Sequence, residues 1–353
     1  MIHLRIVAPE EEARQALELL YAFPTVFNVV HLHDAARKPR GDVILCDVAR
    51  EDVSVIISDL KELDIPRKGS IAVEHIDTSI SDAAVEAEKA ARGMPSDAVI
   101  WEEVEARTSE DTELSFSFVL FMVAAMQIAA VGIVIDSPIL IVGAMVVGPE
   151  FGPLAAISVA LVERQPALAR RSLRALAVGF PVGTLCAFLT TAAMRALEVD
   201  AFVSYENQTH PFTDFISDPD GLSLFVALVA GAAGVVSLTS AKSGALVGVL
   251  VSVTTIPAAS NIGLAAAYGD WDRASGAAAQ LGINLGAIVL AGVVTLFIQR
   301  RYYVARRQAH LMDPVRRKAG LPVGRSARAA YKRGHKPLHE DEEPASSRPL
   351  SGR

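Results

Sequence analysis

The pattern of apolar and polar positions changes character near residue 115. Before it, short alternating strings (IHLRIVA, VFNVVHLHDA, DVILCDVA, SIAVEHID) are separated by helical repeats (EEARQALELLYAF, EDVSVIISDLKELD), which predicts β-α-β-β-α-β over residues 2–80. Ala13, Ala16, Leu17, Leu20 and Tyr21 fall at helical spacing, and Arg40-Gly41-Asp42 predicts a turn between two strands. A ferredoxin-like α+β domain, residues 1–80, is the packing this order favours. Residues 81–114 are polar and helical, interrupted by Gly93-Met94-Pro95, and read as a juxtamembrane connector.

After residue 115 the apolar positions run in blocks, near 115–135, 138–162, 172–197, 221–240, 243–268 and 276–299. Each approaches or exceeds the ~20 residues that cross a bilayer as helix. The expected fold is therefore an α-helical polytopic membrane protein with six spans across residues 115–300. A shift of 104 residues lays the first three runs on the last three, with Pro153 over Pro257, Leu120-Phe121 over Leu224-Phe225 and Ala155 over Ala259. That predicts a 3+3 repeat, 115–197 and 221–300, and an odd number of spans per copy makes the second copy inverted. A shift of 103 lays Gly179-x-x-x-Gly183 on Gly282-x-x-x-Gly286, a small-residue spacing suited to close helix packing. The second run of each half is broken by proline, in GAMVVGPEFGPLAAISVAL and in VGVLVSVTTIPAASNIGL.

Composition agrees: 51% of residues are hydrophobic, 6% aromatic, and mean hydropathy is +0.35. MIHLRIVAPEEE lacks the basic start and apolar core of a signal peptide, so the small domain is expected on the cytoplasmic side. The net charge of -7 conceals an uneven spread, since the residues from Arg300 onward carry +9. Arg164, Arg170, Arg171, Arg174, Lys242, Arg300, Arg301, Arg306 and Arg307 all fall on one side if both termini are inside. The opposite loops hold Asp136, Glu198, Asp200, Glu206, Asp214, Asp218, Asp220, Asp270 and Asp272, with only Arg195 and Arg273 as cations. These assignments predict a multi-pass inner (plasma) membrane protein with cytoplasmic termini. Residues 301–353 are expected to form a basic, disordered tail drawn to anionic lipid.

Candidate chemistry gathers at the breaks. Gly148, Pro149, Glu150, Gly152 and Pro153 form the first, and Glu150 is the one acid within a strongly apolar run. Such acids usually face a cavity and handle an ion or proton, although a wet interfacial position without a role is equally open. Thr254, Thr255, Pro257, Ser260 and Asn261 hold the corresponding place in the second half, as solute ligands or as bonds within the bundle. Asn284 and Gln127 read as glue between helices, and Asp136 as an exposed turn acid. His31 and His33 share a strand face at metal-compatible spacing, but no third ligand is evident. Asn207-Gln208-Thr209 fits a glycosylation sequon, a pattern that often matches by chance. Cys46 and Cys186 support neither a disulfide framework nor a metal cluster. Phosphate-loop, dinucleotide, nucleophile-elbow and zinc-protease motifs are missing, so no catalytic residue, metal, cofactor or nucleic-acid partner is expected.

A small βαββαβ domain, DAVIWEEV, GAMVVGPEFGP and a later VTTIPAASNIGLA together resemble the prokaryotic membrane proteins of the domain of unknown function 389 family, over residues 1–300. The most specific part is Gly143, Ala144, Met145, Pro149, Gly152 and Pro153. The resemblance implies the architecture and carries no activity. The function expected from the residues is a channel or secondary transporter for a small ion or solute, working in the lipid bilayer as a homo-oligomer. The alternative is a membrane-anchored sensor or scaffold whose N-terminal domain binds a small ligand or a protein.

Overall fold

A computed structural model describes residues 1–76, 78–91, 98–110, 112–205, 209–217, 220–240 and 254–327. The chain forms two compact units, Met1–Ala91 with Ala305–Arg353, and Arg92–Val304. Gly93-Met94-Pro95, Glu206, Asn207, Gln208, Asp218 and Lys242 lie outside the described residues.

The first unit is built on β1 (Ile2–Ala8), α1 (Glu10–Ala22), β2 (Val26–Arg37), β3 (Arg40–Val48), α2 (Val53–Glu62), α3 (Ile65–Lys68) and β4 (Ser70–His75). The sheet is wholly antiparallel in the order β2-β3-β1-β4. Alternation explains its core: Ile2, Leu4, Ile6 and Ala8 of β1 and Ile44, Cys46 and Val48 of β3 are buried on one face. The helices cover that face with Ala13, Ala16, Leu19 and Leu20 of α1 and Val53, Ile56, Ile57 and Leu60 of α2. Tyr21 is 69% exposed, so the buried stripe of α1 runs through Leu19 instead. The hairpin turn lies at Lys38-Pro39, and Arg40-Gly41-Asp42, expected as the turn, already belongs to β3. Between Leu32–Val43 and Ala36–Gly41, a bulge sets His33, Asp34 and Ala35 of β2 against Asp42 alone.

The described part of the tail, expected to be disordered, is folded. It continues as helix to His310, turns through Leu311 and passes through a short helix, Val315–Lys318, with Leu311, Ala319, Leu321 and Ala327 buried. Arg307 and Arg316 are fully buried, pairing with Asp59 and Glu62 of α2, and His310 Nε2 reaches Asp59 Oδ2 at 2.7 Å. Arg306 donates to the Glu51 carbonyl at 2.7 Å. An acid pair at i, i+3 on α2 thus receives the basic segment, which charge counting alone assigned to solvent and lipid. Also in this unit, α4 (Asp82–Ala90) packs against β2.

The second unit is helical: α5 (Trp101–Glu110), α6 (Phe116–Val134), α7 (Pro138–Val147), α8 (Phe151–Glu163), α9 (Pro166–Ala196), α10 (Asp200–Ser204), α11 (Gly221–Thr239), α12 (Thr255–Tyr268) and most of α13 (Trp271–His310). Four helices among the described residues, α6, α9, α11 and α13, are long and apolar enough to cross a membrane, and α7 with α8, bent by 52°, makes a fifth if counted as one span. The fifth expected run, 243–268, falls partly outside the described residues, and its described part is α12. A core of Met122, Met126, Leu154, Phe180, Ile256 and Ile288 joins these helices. The connector helix α5 packs on α8 through Val104 and is tied to α9 by Arg171, which donates to the Ser109 carbonyl at 2.6 Å.

Candidate functional site

Gly148, Pro149 and Glu150 separate α7 from α8, and each of the two prolines expected to break a span stands third in a helix. Pro153 is third in α8 and Pro257 third in α12. The first-turn N–H groups of a helix have no internal acceptor, so proline there removes a bond the helix never had. Pro153 and Pro257 therefore mark helix starts, and the first break, at Gly148, Pro149 and Glu150, lies before Pro153.

These two starts meet. Glu150, at the N-cap of α8, is 4% exposed, and its Oε1 accepts a hydrogen bond from Thr255 Oγ1, the first residue of α12, at 2.6 Å. The other carboxylate oxygen, Oε2, has no hydrogen-bond partner among the described residues. Gly148 makes the approach possible. A Cβ there would collide with Glu150 Oε2 and stand 2.6 Å from Ile256 Cγ1.

The polar contacts continue beyond the pair. Thr254 Oγ1 accepts from Asn284 Nδ2 at 3.1 Å, and Asn284 Oδ1 accepts from Gln280 Nε2 at 3.3 Å. Gln280 and Asn284, both 1% exposed, sit one turn apart on α13. Glu150, Thr255, Thr254, Asn284 and Gln280 thus form a largely buried polar seam across three helices. Gln280 was invisible to the sequence argument, and its only signal is the amide pair at i, i+4 in an apolar run.

Ser260 and Asn261, expected with this group, go elsewhere. Ser260 Oγ donates to the Met126 carbonyl at 2.7 Å, and Asn261 Nδ2 donates to Ser217 Oγ at 2.7 Å. Both hold α12 in the bundle, on later turns than Thr255. Gln127 Oε1 and Asn261 Oδ1 lack partners among the described residues. Asp136, with φ of 50°, anchors the segment after α10, accepting from Phe212 N at 3.2 Å and Thr213 Oγ1 at 3.0 Å. The two small-residue pairs also differ. Gly179 and Gly183 press on Phe118, Met122 and Met126 of α6, whereas Gly282 and Gly286 meet no such neighbour among the described residues.

The seam falls inside the part of the chain that comparison with known proteins recognises. Residues 145–290 match the family described as Domain of unknown function (DUF389). The resemblance is thereby shown for that stretch, which holds Met145, Pro149, Gly152 and Pro153 of the specific pattern and begins just after Gly143 and Ala144. Over 199 residues the chain is 27% identical to "Uncharacterized protein MJ0678" of Methanocaldococcus jannaschii, covering 56% of this chain and 58% of that protein. The chain thus spans less than two thirds of the length of the curated relative it matches. No solved structure matches. Glu150, Thr254, Thr255, Gln280 and Asn284 all lie within the DUF389 stretch, and the sheet of the first unit lies outside it.

Proposed function

We propose that the helical unit is a membrane channel or secondary transporter for a small ion or solute, with its path at Gly148, Glu150, Thr254 and Thr255. One observation carries this reading. A buried carboxylate stands where two helix N-termini meet, with one oxygen unpartnered among the described residues. At membrane depth, backbone outside a helix persists only within protein or beside a wet cavity. An ionisable side chain there is costly and usually serves an ion or solute path. Paired half-helix starts directed at one point are the arrangement by which broken-helix transporters hold their cargo.

The wider architecture belongs to the same proposal. Third-position prolines 104 residues apart in two helices whose starts converge support six spans as a 3+3 inverted repeat. The charge asymmetry of the loops supports an inner-membrane protein with both termini cytoplasmic. Gly282 and Gly286 on α13, which no side chain presses on among the described residues, would offer a close-packing surface to a second copy in a homo-oligomer. The first unit, ferredoxin-like in strand order, would gate or assemble the path.

The test is flux in proteoliposomes across monovalent cations, anions, protons and small organic acids, for wild type and Glu150→Gln. Wild type is expected to pass at least one class above protein-free vesicles, and the variant to change its selectivity or pH dependence. Silence across the panel would favour the sensor reading.

A further inference from the structure

The first unit holds a group of side chains that transport does not use. On edge strand β2, His31 and His33 point to the same side, and the bulge wraps them around Asp42 of β3. His31 Nε2 lies 2.8 Å from Asp42 Oδ2, and His33 Nδ1 lies 3.1 Å from Asp42 Oδ1. The Asp42 side chain is 4% exposed, while the two imidazoles are 34% and 67% exposed. Asp34, with φ of 44°, turns its backbone N–H onto Asp42 Oδ1 at 2.8 Å. The ligand atoms of His31, His33 and Asp42 all lie within 4.8 Å of one another.

The geometry points to a divalent transition-metal site formed by His31, His33 and Asp42. A tetrahedral zinc ion with bonds of about 2.0–2.2 Å holds its ligand atoms roughly 3.3 Å apart. The two imidazole–carboxylate separations, 2.8 and 3.1 Å, need widen by only a few tenths of an ångström to admit one, and the two imidazole nitrogens, within 4.8 Å of each other, must draw together. Two imidazoles and a carboxylate suit zinc, iron, nickel or copper better than magnesium or calcium, which favour oxygen. The Asp34 N–H acts as the outer partner that fixes the carboxylate. Exposure of His33 leaves a coordination position open to water or to a ligand from outside. Ligation requires each imidazole to present a lone pair where it now faces Asp42, with its ring proton carried on the other nitrogen.

The sequence hid this site by a single misplacement. With Arg40-Gly41-Asp42 taken as a turn, Asp42 had no reason to face the histidines. With the turn at Lys38-Pro39, Asp42 falls opposite the bulge.

The test uses the full-length chain, purified without a histidine tag and stripped by chelator, titrated with zinc and with cobalt as a spectroscopic probe. Wild type is expected to bind one more ion per chain than His33→Ala and to give a cobalt spectrum of low-symmetry nitrogen-oxygen coordination. Affinity should fall roughly 10- to 100-fold or more in the variant, since losing even an outer partner costs that much. His33 is exposed, so the variant is expected to fold. His31→Ala, checked by circular dichroism, gives a second reading. Equal stoichiometry and affinity in wild type and both variants, or no binding by wild type, would overturn the site and leave Asp42 as a carboxylate merely bonded by two imidazoles.

Discussion

Thr255 donates its hydroxyl proton to the Glu150 carboxylate inside the helical unit, so Thr255→Val keeps the side-chain shape and removes the donor. A buried group left without its partner costs about 1–3 kcal/mol, and the variant should show a lower unfolding midpoint in detergent. Gly148→Ala should be destabilised by a comparable ~1–3 kcal/mol, because its new methyl meets Glu150 Oε2 and the Ile256 side chain, which must shift to admit it. An unchanged midpoint in both would mean that the two helix starts are not held together as described. At this scale the sequence was most readable where one residue contrasts with its surroundings. Glu150 stood out as an acid among apolar residues, and Thr254 and Thr255 by lying beside Pro257. Asn284 read as glue between helices and does bond Thr254 of another helix, whereas Gln280 did not stand out, because nothing local tells an amide that extends such a contact from one bonding only its own helix. Ser260 and Asn261 looked the same as Thr255 in sequence, and helix rotation separates them.

Helices and strands were legible through their periods, and their limits less so. Alternation fixed β1 and β3, and the two helical repeats fixed α1 and α2, yet the hairpin turn was displaced because Gly41 offered a stronger turn signal than Lys38-Pro39. Pro153 and Pro257 were expected to break helices and instead begin them. Pro153→Ala should therefore leave the break between α7 and α8 in place. It should change stability by only about 0.4–1 kcal/mol, through the freedom of the unfolded chain, with flux retained. Loss of flux would give the ring itself a role. The basic segment from Ala305 onward was misread for another reason: its cations looked solvated because their acids, Asp59 and Glu62, lie some 250 residues away. Burial pushes the Asp59 carboxyl up, but the His310 bond and the Arg307 and Arg316 guanidiniums outweigh it and hold the group below its ordinary 3.8. A depressed carboxyl stabilises the fold above its unfolded value and loses that contribution as pH falls through the folded one. Asp59→Asn should thus lower the unfolding midpoint of the first unit at neutral pH, with a cost of about 3–5 kcal/mol for stranding buried guanidiniums. The gap between variant and wild type should narrow below pH 3.8, where wild type begins to lose the same charge. A gap independent of pH would contradict the ion network.

Over the whole molecule, composition and block length announced a membrane protein, and the described residues supply four apolar helices and a bent pair. The number of spans rests on more than length, since a helix of 10 residues and one of 13 make a span only together. Function at this scale comes down to whether water and solute reach the place where α8 and α12 begin. Thiol reactivity at that place answers the question in a chain carrying Thr254→Cys and Cys186→Ser. The remaining Cys46 is buried in the sheet with its thiol pushed up to about 12, and stays silent. A charged, membrane-impermeant thiol reagent should label the new thiol at position 254 in sealed proteoliposomes and change the flux. Failure to label until the protein is denatured would show a dry, packed junction and contradict a path through Glu150 and Thr255.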